Sequence, residues 1–459
     1  MPAKLALVRG GGVEVRASPS VRTRLPSGSG ALAAAAALFM LLTFSLLYLI
    51  DPLLYLRIMR YWVPEAWPVP FVDLLYVQQH LECWRVSEAI QAAAPCRAAG
   101  RGFAYPPLWL RLWFLPAGEW ATVPMGFSLA LGFIASLTAL PPIRQRGGVL
   151  LFLAGVLSPA TAYAVERGNV DLLMFILAAF AAVAATRSLA ARLTSYAGIV
   201  LATLLKLYPA VLLAMIARER PRTAIAAGLI AVSVIGIMGL AWQDEFARMM
   251  SNIPSPQYKD DGPGARKLPE GIFILINGAA ENSWLWSGAR LDEMIPRRVA
   301  VTGLSALALA GALSYAIRLG NNPALRVFLT GLTARERTFL TIGGLLFCGC
   351  FVTGTSIAYR EIMLLFTIPA LYRLSRAIGS PWPWRAAAWM IVGLMWFSYP
   401  ALLLDIHAGP LGDHGGPLPT FVFWMGREFL WWWLFILLTG CLLCLARPVE
   451  DVDTNQHAA

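Results

Sequence analysis

The amino-acid sequence predicts an all-α polytopic integral membrane protein, and three observations carry that reading. The chain of 459 residues is 58% hydrophobic and only 14% charged. Its apolar residues fall in runs of about 20, the length that spans a hydrocarbon core. Its Arg residues gather in short loops between those runs, so the net charge of +11 fits membrane topology and anionic headgroups rather than nucleic acid.

The first thirty residues hold Lys4, Arg9, Arg16, Arg22 and Arg24 among Gly, Ser and Pro, which reads as a disordered cytoplasmic tail, residues 1–30. It is too long and dispersed for a cleaved signal peptide. Ala31 to Ile50 is the first span, and the basic tail places its amino terminus in the cytoplasm. The first outer loop follows, residues 51–104. It opens with DPLLYLRIMRYW, whose mixture of Leu, Arg and aromatic residues suits a helix lying in the headgroup layer. A second helix starts near Asp73, and Tyr105-Pro106-Pro107 marks re-entry into the membrane.

Thr122 to Leu140 then spans inward, Val149 to Val165 outward, and Val170 to Ala185 inward again. The next apolar run, Tyr196 to Ile216, is interrupted at Lys206-Leu207-Tyr208-Pro209. A single crossing here would put Arg218, Arg220 and Arg222 outside, against the positive-inside rule, so two half-helices turning at Lys206 to Pro209 are preferred. Ala224 to Trp242 leads out to a second long outer loop, residues 243–297, rich in Pro, Gly and Asn. Val299 to Ile317, Phe339 to Val352, Glu361 to Tyr372, Trp389 to Leu404 and Phe429 to Ala446 complete the membrane domain, residues 31–446, before an acidic cytoplasmic tail, residues 447–459. The expected total is about 10–12 transmembrane segments, counted as about ten crossings and one re-entrant pair.

Polar exceptions to this pattern are the functional candidates, because ionisable residues at membrane depth are costly. The stretch from Ser158 to Ala178 sets Glu166, Arg167, Gly168, Asn169 and Asp171 between two apolar runs. It is either a site or a polar turn in which Gly168 ends one helix and Asn169 or Asp171 caps the next. On the expected topology Asp51, Asp73, Glu82, Tyr105, Arg167, Asn169, Lys206, Tyr208, Tyr359 and Arg360 all fall near the outer interface. Transporters place charges and broken helices at the midplane of repeated halves. No such repeat is present, nor a Walker motif, a GxGxxG or a soluble catalytic domain, and the layout favours an enzyme working at the membrane surface.

Six Cys divide into two groups. Cys348, Cys350, Cys441 and Cys444 lie in spans as packing residues. Cys83 and Cys96 share the outer loop, where an oxidising compartment permits a disulfide; two free thiols is the other reading. In the last outer loop Asp405, His407, Asp413 and His414 match no metal-ligand spacing, so no metal and no cofactor is expected. The segment from Asn277 to Trp286 is placed where an acceptor groove would run.

YPPLWL after an outer loop with a lone Asp, then ERGNVDLLMF, then LLKLYPAVLL, resembles the membrane glycosyltransferases of the GT-C superfamily. The nearest likeness is to glycosyltransferase family 87, the polyprenol-phosphate-mannose-dependent mannosyltransferases and their bacterial relatives. It covers Asp73 to Pro209, with SIAYREIMLLF at Ser356 to Phe366 in support. The resemblance implies a multi-span fold with a carboxylate base in the first outer loop. It also implies a polyprenyl-phosphate sugar as donor and a lipid or glycan as acceptor, at the outer face of a bacterial inner membrane. Asp73 in FVDLLYVQQ resembles the family's base in placement, against a plain helix-capping role; Asp51 is the second choice, against a helix-stop turn at Asp51-Pro52. Arg167, Lys206 and Arg360 are the expected phosphate ligands, and Tyr105, Asn169 and Tyr208 the expected orienting groups. Two rival readings use the same residues: a transporter or flippase for a lipid-linked sugar, and a non-catalytic protein of envelope assembly.

Overall fold

A computed structural model describes residues 28–63, 66–86, 102–253, 262–281, 296–353, 357–377, 382–411 and 417–447. Among them every regular element is helical. In chain order the α-helices are α1 (Ser29–Ile50), α2 (Pro52–Trp62), α3 (Val72–Val86), α4 (Leu108–Arg111), α5 (Thr122–Leu137), α6 (Arg146–Val156), α7 (Pro159–Arg167), α8 (Asp171–Ala184), α9 (Leu189–Leu205), α10 (Pro221–Ala241) and α11 (Gln243–Asn252). There follow α12 (Lys267–Glu281), α13 (Arg297–Gly320), α14 (Pro323–Thr330), α15 (Ala334–Thr353), α16 (Ile368–Ser375), α17 (Trp382–Met395), α18 (Ser398–Ala408) and α19 (Leu418–Ala446). Two stretches, Tyr208–Arg218 and Ala358–Phe366, are 3-10 helices of 11 and 9 residues.

Among the described residues six helices are long and apolar enough to cross a membrane, and two bent pairs raise the count to eight. α10 shows the kind of surface they present: Ile225, Leu229, Ile230, Val232, Ile237 and Leu240 are all exposed along it, an apolar outer face suited to lipid. The count is smaller than the sequence suggested because several apolar runs are cut short. The run from Val149 to Val165 breaks at Pro159, whose preceding Ser158 side chain caps α7, and the two pieces meet at 41°. The expected crossing from Trp389 to Leu404 bends by 55° between α17 and α18. α8 has only 14 residues, about 21 Å at 1.5 Å per residue. The second long outer loop is also less loop-like than its Pro and Gly suggested, since α12 packs on α13 and α19. Residues 1–27 and 448–459 of the two tails lie outside the described residues, as do residues 282–286 of the suggested acceptor groove; Asn277 belongs to α12.

The break at Lys206 makes a hairpin, the reading the charge rule preferred over a full crossing. α9 ends at Leu205, and the first 3-10 arm returns along it. Arg192 Nε donates to Glu219 at 2.6 Å and Tyr196 Oη to the same carboxylate at 2.8 Å, so residues 27 apart meet at the open end. α15 and the second 3-10 arm repeat the arrangement: Gly343 leaves room for Phe366 and Thr367, and Arg373 reaches Glu336 at 2.5 Å. At about 2.0 Å rise per residue the 11-residue arm covers about 22 Å, more than an α-helix of equal length would. α15 itself starts with a capping box, in which the Thr333 N–H donates to Glu336 and the Glu336 N–H to Thr333 Oγ1.

Aromatic residues hold the centre. Phe175 of α8 stacks on Phe366 at 4.2 Å and meets Phe133 of α5 edge-on at 4.9 Å, while Phe339 of α15 closes on Phe366 at 5.7 Å. The two hairpins pack against each other through Val211 and Gly349. Their turns therefore sit at one end of the bundle, beside the junction of α7 and α8.

Candidate functional site

Gly168 ends α7 in the left-handed region at φ 57°, which glycine adopts without cost. Asn169 Oδ1 then accepts from the Asp171 N–H at 2.9 Å and caps α8. Local sequence thus builds a sharp turn between two short helices, and the turn faces α3.

Phe71, just before α3, has φ 60°, an outlier for a bulky residue. Its N–H donates to the Glu166 carbonyl at 2.7 Å, and its ring fills space left by Gly126 and Gly168. A Cβ on Gly126 would lie 2.3 Å from the ring and one on Gly168 2.9 Å from Phe71 Cβ. Phe71 pins the first turn of α3 onto the α7–α8 turn, and Asp73 is carried with it.

The Asp73 carboxylate accepts from Arg167 Nη1 at 3.3 Å on one oxygen and from Asn169 Nδ2 at 2.5 Å on the other. Across the turn, Lys206 Nζ lies 2.8 Å from Asp171 Oδ1 and donates to Asn169 Oδ1 at 3.3 Å. Tyr208 Oη donates to Asp171 at 2.8 Å, and Arg360 Nε lies 3.5 Å from its other oxygen. Tyr105, Tyr208 and Tyr359 turn their rings toward Lys206 at 5.7, 5.9 and 5.6 Å. Tyr163 accepts from Arg167 Nη2 at 2.8 Å and lies beside Tyr359. The first hairpin supplies Lys206 and Tyr208, the second Tyr359 and Arg360.

Burial sorts the carboxylates. The Asp171 side chain is 0% exposed, while that of Asp73 is 20% exposed, so Asp73 is the one of the two that an approaching molecule reaches. Burial raises the Asp73 carboxyl above the ordinary carboxylate range, with Arg167 and Asn169 opposing that rise. A raised carboxyl suits proton exchange near neutral pH.

Every residue anticipated around Asp73 from Tyr105 to Arg360 is drawn into this cluster. Arg167 differs in detail: it lies against Asp73 and so orients the carboxylate directly. Asp51 is elsewhere in role, since its side chain caps α2 by accepting from Leu53 N and Leu54 N at 2.9 and 3.1 Å. Glu82 is exposed along α3. Asp73 is not a helix cap, because its two oxygens go to side chains of the α7–α8 turn. Asp171, one of the polar residues of this turn and absent from the expected phosphate ligands and orienting groups, is the hub for two cations; its place in GNVD, one turn from Arg167, was the available signal. Cys83 is disulfide-bonded, and Cys96 lies outside the described residues. His407 Nδ1 sits 2.7 Å from the Leu403 carbonyl of its own helix, while Asp413 and His414 lie outside the described residues.

No protein-family model, curated protein or solved structure matches the chain. What the fold and cluster define is a multi-pass membrane protein with a buried charge network at one end of its helices.

Proposed function

We propose that the chain is a GT-C-type glycosyltransferase, moving one sugar from a polyprenyl-phosphate donor to a hydroxyl of a lipid or glycan acceptor. The observation that supports it most is the placement of Asp73, reachable and raised, in the same hydrogen-bonded network as Lys206 and Arg360. Asp73 takes the acceptor's proton as the acceptor oxygen bonds to the anomeric carbon. The bond from that carbon to the phosphate oxygen breaks, and its electron pair leaves with the polyprenyl phosphate. Lys206 and Arg360, preorganised by Asp171, meet the charge that develops there. Arg167 and Asn169 hold the base; Tyr105 and Tyr208 border the space for sugar and phosphate. The loops rich in Arg support an orientation with the amino terminus in the cytoplasm and this site at the outer face of a bacterial inner membrane.

The test is transfer from radiolabelled polyprenyl-phosphate sugars, mannose among them, in membranes holding wild type or Asp73→Asn at equal levels. Wild type is expected to yield a labelled glycolipid or glycan, and the variant to lose about 10²–10⁴-fold, the worth of a positioned base. Activity in wild type is expected to fall on acidification above the usual Asp range near 3.9, because the base must be ionised and its carboxyl is raised. Label that crosses the bilayer unchanged, with no product from any donor, would overturn transfer in favour of transport.

A further inference from the structure

The link between α4 and α5 carries three highly exposed aromatic side chains, Trp113 at 83%, Phe114 at 64% and Trp120 at 73%. Its backbone is nonetheless closed on itself. The Trp113 N–H donates to the Arg111 carbonyl at 2.9 Å and the Leu115 N–H to the Leu112 carbonyl at 3.0 Å. Arg85, in the last turn of α3, points Nη2 among the Leu112, Trp113 and Leu115 carbonyls and donates to them at 3.2, 3.0 and 2.5 Å. A loop tip in water needs no such pairing, because water serves its carbonyls. One that leaves water must satisfy them within the protein.

The link is tied to α3 along most of that helix. Gln79 Nε2 donates to Glu119 at 2.9 Å, and the Arg111 guanidinium lies 5.3 Å from the ring of Trp84. On its other side Arg111 meets the Trp242 ring at 4.6 Å and donates to Glu245 of α11 at 2.7 Å. In the forward direction the link runs straight into a stretch, Glu119–Leu137, that is long and apolar enough to cross a membrane. Trp120 opens that stretch, and Val123 and Leu131 continue its exposed side. Gly126, in the second turn of α5, meets Phe71, so the link lies at the Asp73 end of the bundle. The rings are thus continuous with an apolar face suited to lipid and stand where that face begins. Indoles favour that level, the boundary between headgroups and acyl chains.

We infer that residues 112–120 insert into the headgroup layer of the phospholipid bilayer and anchor α3 to it. The partner is the lipid surface itself: Trp113, Phe114 and Trp120 bury their rings against the upper acyl chains, and Arg85 keeps the link's carbonyls paired as water is left behind. Asp73 lies in the first turn of α3, and the tethers at Gln79 and Arg85 lie further along the same helix. The anchor therefore fixes the height of the helix that carries Asp73. The inference does not rest on transfer at Asp73, and no catalysis is needed to test it.

The full chain is placed in phospholipid nanodiscs with a thiol-reactive fluorophore on Trp113→Cys, Trp120→Cys or Glu82→Cys, and the labelling of wild type is subtracted. Quenching by phospholipid carrying a nitroxide high on its acyl chain is compared with quenching by iodide in the buffer. The lipid nitroxide is expected to quench the labels at positions 113 and 120, and iodide to quench them at least about threefold less than the same dye free in buffer. Trp113→Ser combined with Phe114→Ser is expected to raise iodide quenching at position 82 of α3 about threefold. Both side chains are largely exposed, so their truncation opens no core. Arg85→Ala, which strips the link's carbonyls of their donor, is expected to raise iodide quenching at position 113 by a similar factor. Absence of lipid quenching at both 113 and 120 overturns the inference, whether iodide reaches the labels or a second copy covers them, which mass photometry of the discs distinguishes. Lipid quenching at 113 with position 82 unmoved by the double substitution overturns the anchoring of α3.

Discussion

The two ends of the bundle both set carboxylates against cations, and they do it in opposite ways. Where the hairpins open, each acid has its own base: Glu219 holds Arg192 at 2.6 and 3.0 Å, and Glu336 holds Arg373 at 2.5 Å. Those bases are 31% and 50% exposed, and Arg218 ties the two hairpins together by donating to Thr341 at 2.9 Å. Where the hairpins turn, one carboxylate at 0% exposure is shared between Lys206, Arg360 and Tyr208. Exposed pairs are screened and contribute little. A shared buried carboxylate makes both cations depend on it, an arrangement more typical of a site than of a surface.

The contrast can be broken directly. Asp171→Asn is expected to cost about 3–5 kcal/mol, since it removes the buried carboxylate that two cations share. Thermal unfolding in a fixed lipid environment measures it. If Asp171→Asn is no more harmful than a substitution at the opposite end, the two ends do not differ in kind.

Gly168→Ala is expected to cost about 1–3 kcal/mol, through the left-handed backbone and the approach of its Cβ to Phe71. Unlike a loss of bulk stability, this change also shifts α3, so transfer activity per folded molecule should drop along with the unfolding temperature. Activity per folded molecule equal to wild type would show that Phe71 does not position Asp73. Smallest is Glu336→Gln, which keeps an acceptor for the Thr333 cap and removes only the pair to Arg373. About 1 kcal/mol or less is expected, because Arg373 is half exposed, and a larger loss would mean that the buried Glu336 carboxylate depends on Arg373 as its counter-charge.

Much of this was legible in the sequence, though not evenly. Positive loops favoured a hairpin at Lys206 over a full crossing, and α9 with its returning arm is one. Gly168 and Asn169 admit two readings, a capping turn or a site, and the geometry is compatible with both: Asn169 accepts from the Asp171 N–H with its carbonyl oxygen and holds Asp73 with its amide. The role of Asp171 was not legible, because a hub is defined by partners 35 and 189 residues away in sequence, Lys206 and Arg360. Nor were the broken spans, since Pro159 and the bend before Ser398 interrupt runs whose hydropathy is continuous. Asp51 has a local use, since its carboxylate accepts from the first N–H groups of α2.

The 3-10 arm after Lys206 has a consequence for pattern recognition. Side chains three apart eclipse along such a helix, and Pro209, Leu212 and Met215 form one buried column while Tyr208, Val211 and Ala214 form another that is less covered. The signal is a period of three, which falls between the windows used for α-helices and strands. An apolar run followed at once by a break and a triplet rhythm therefore marks a chain that turns back along itself.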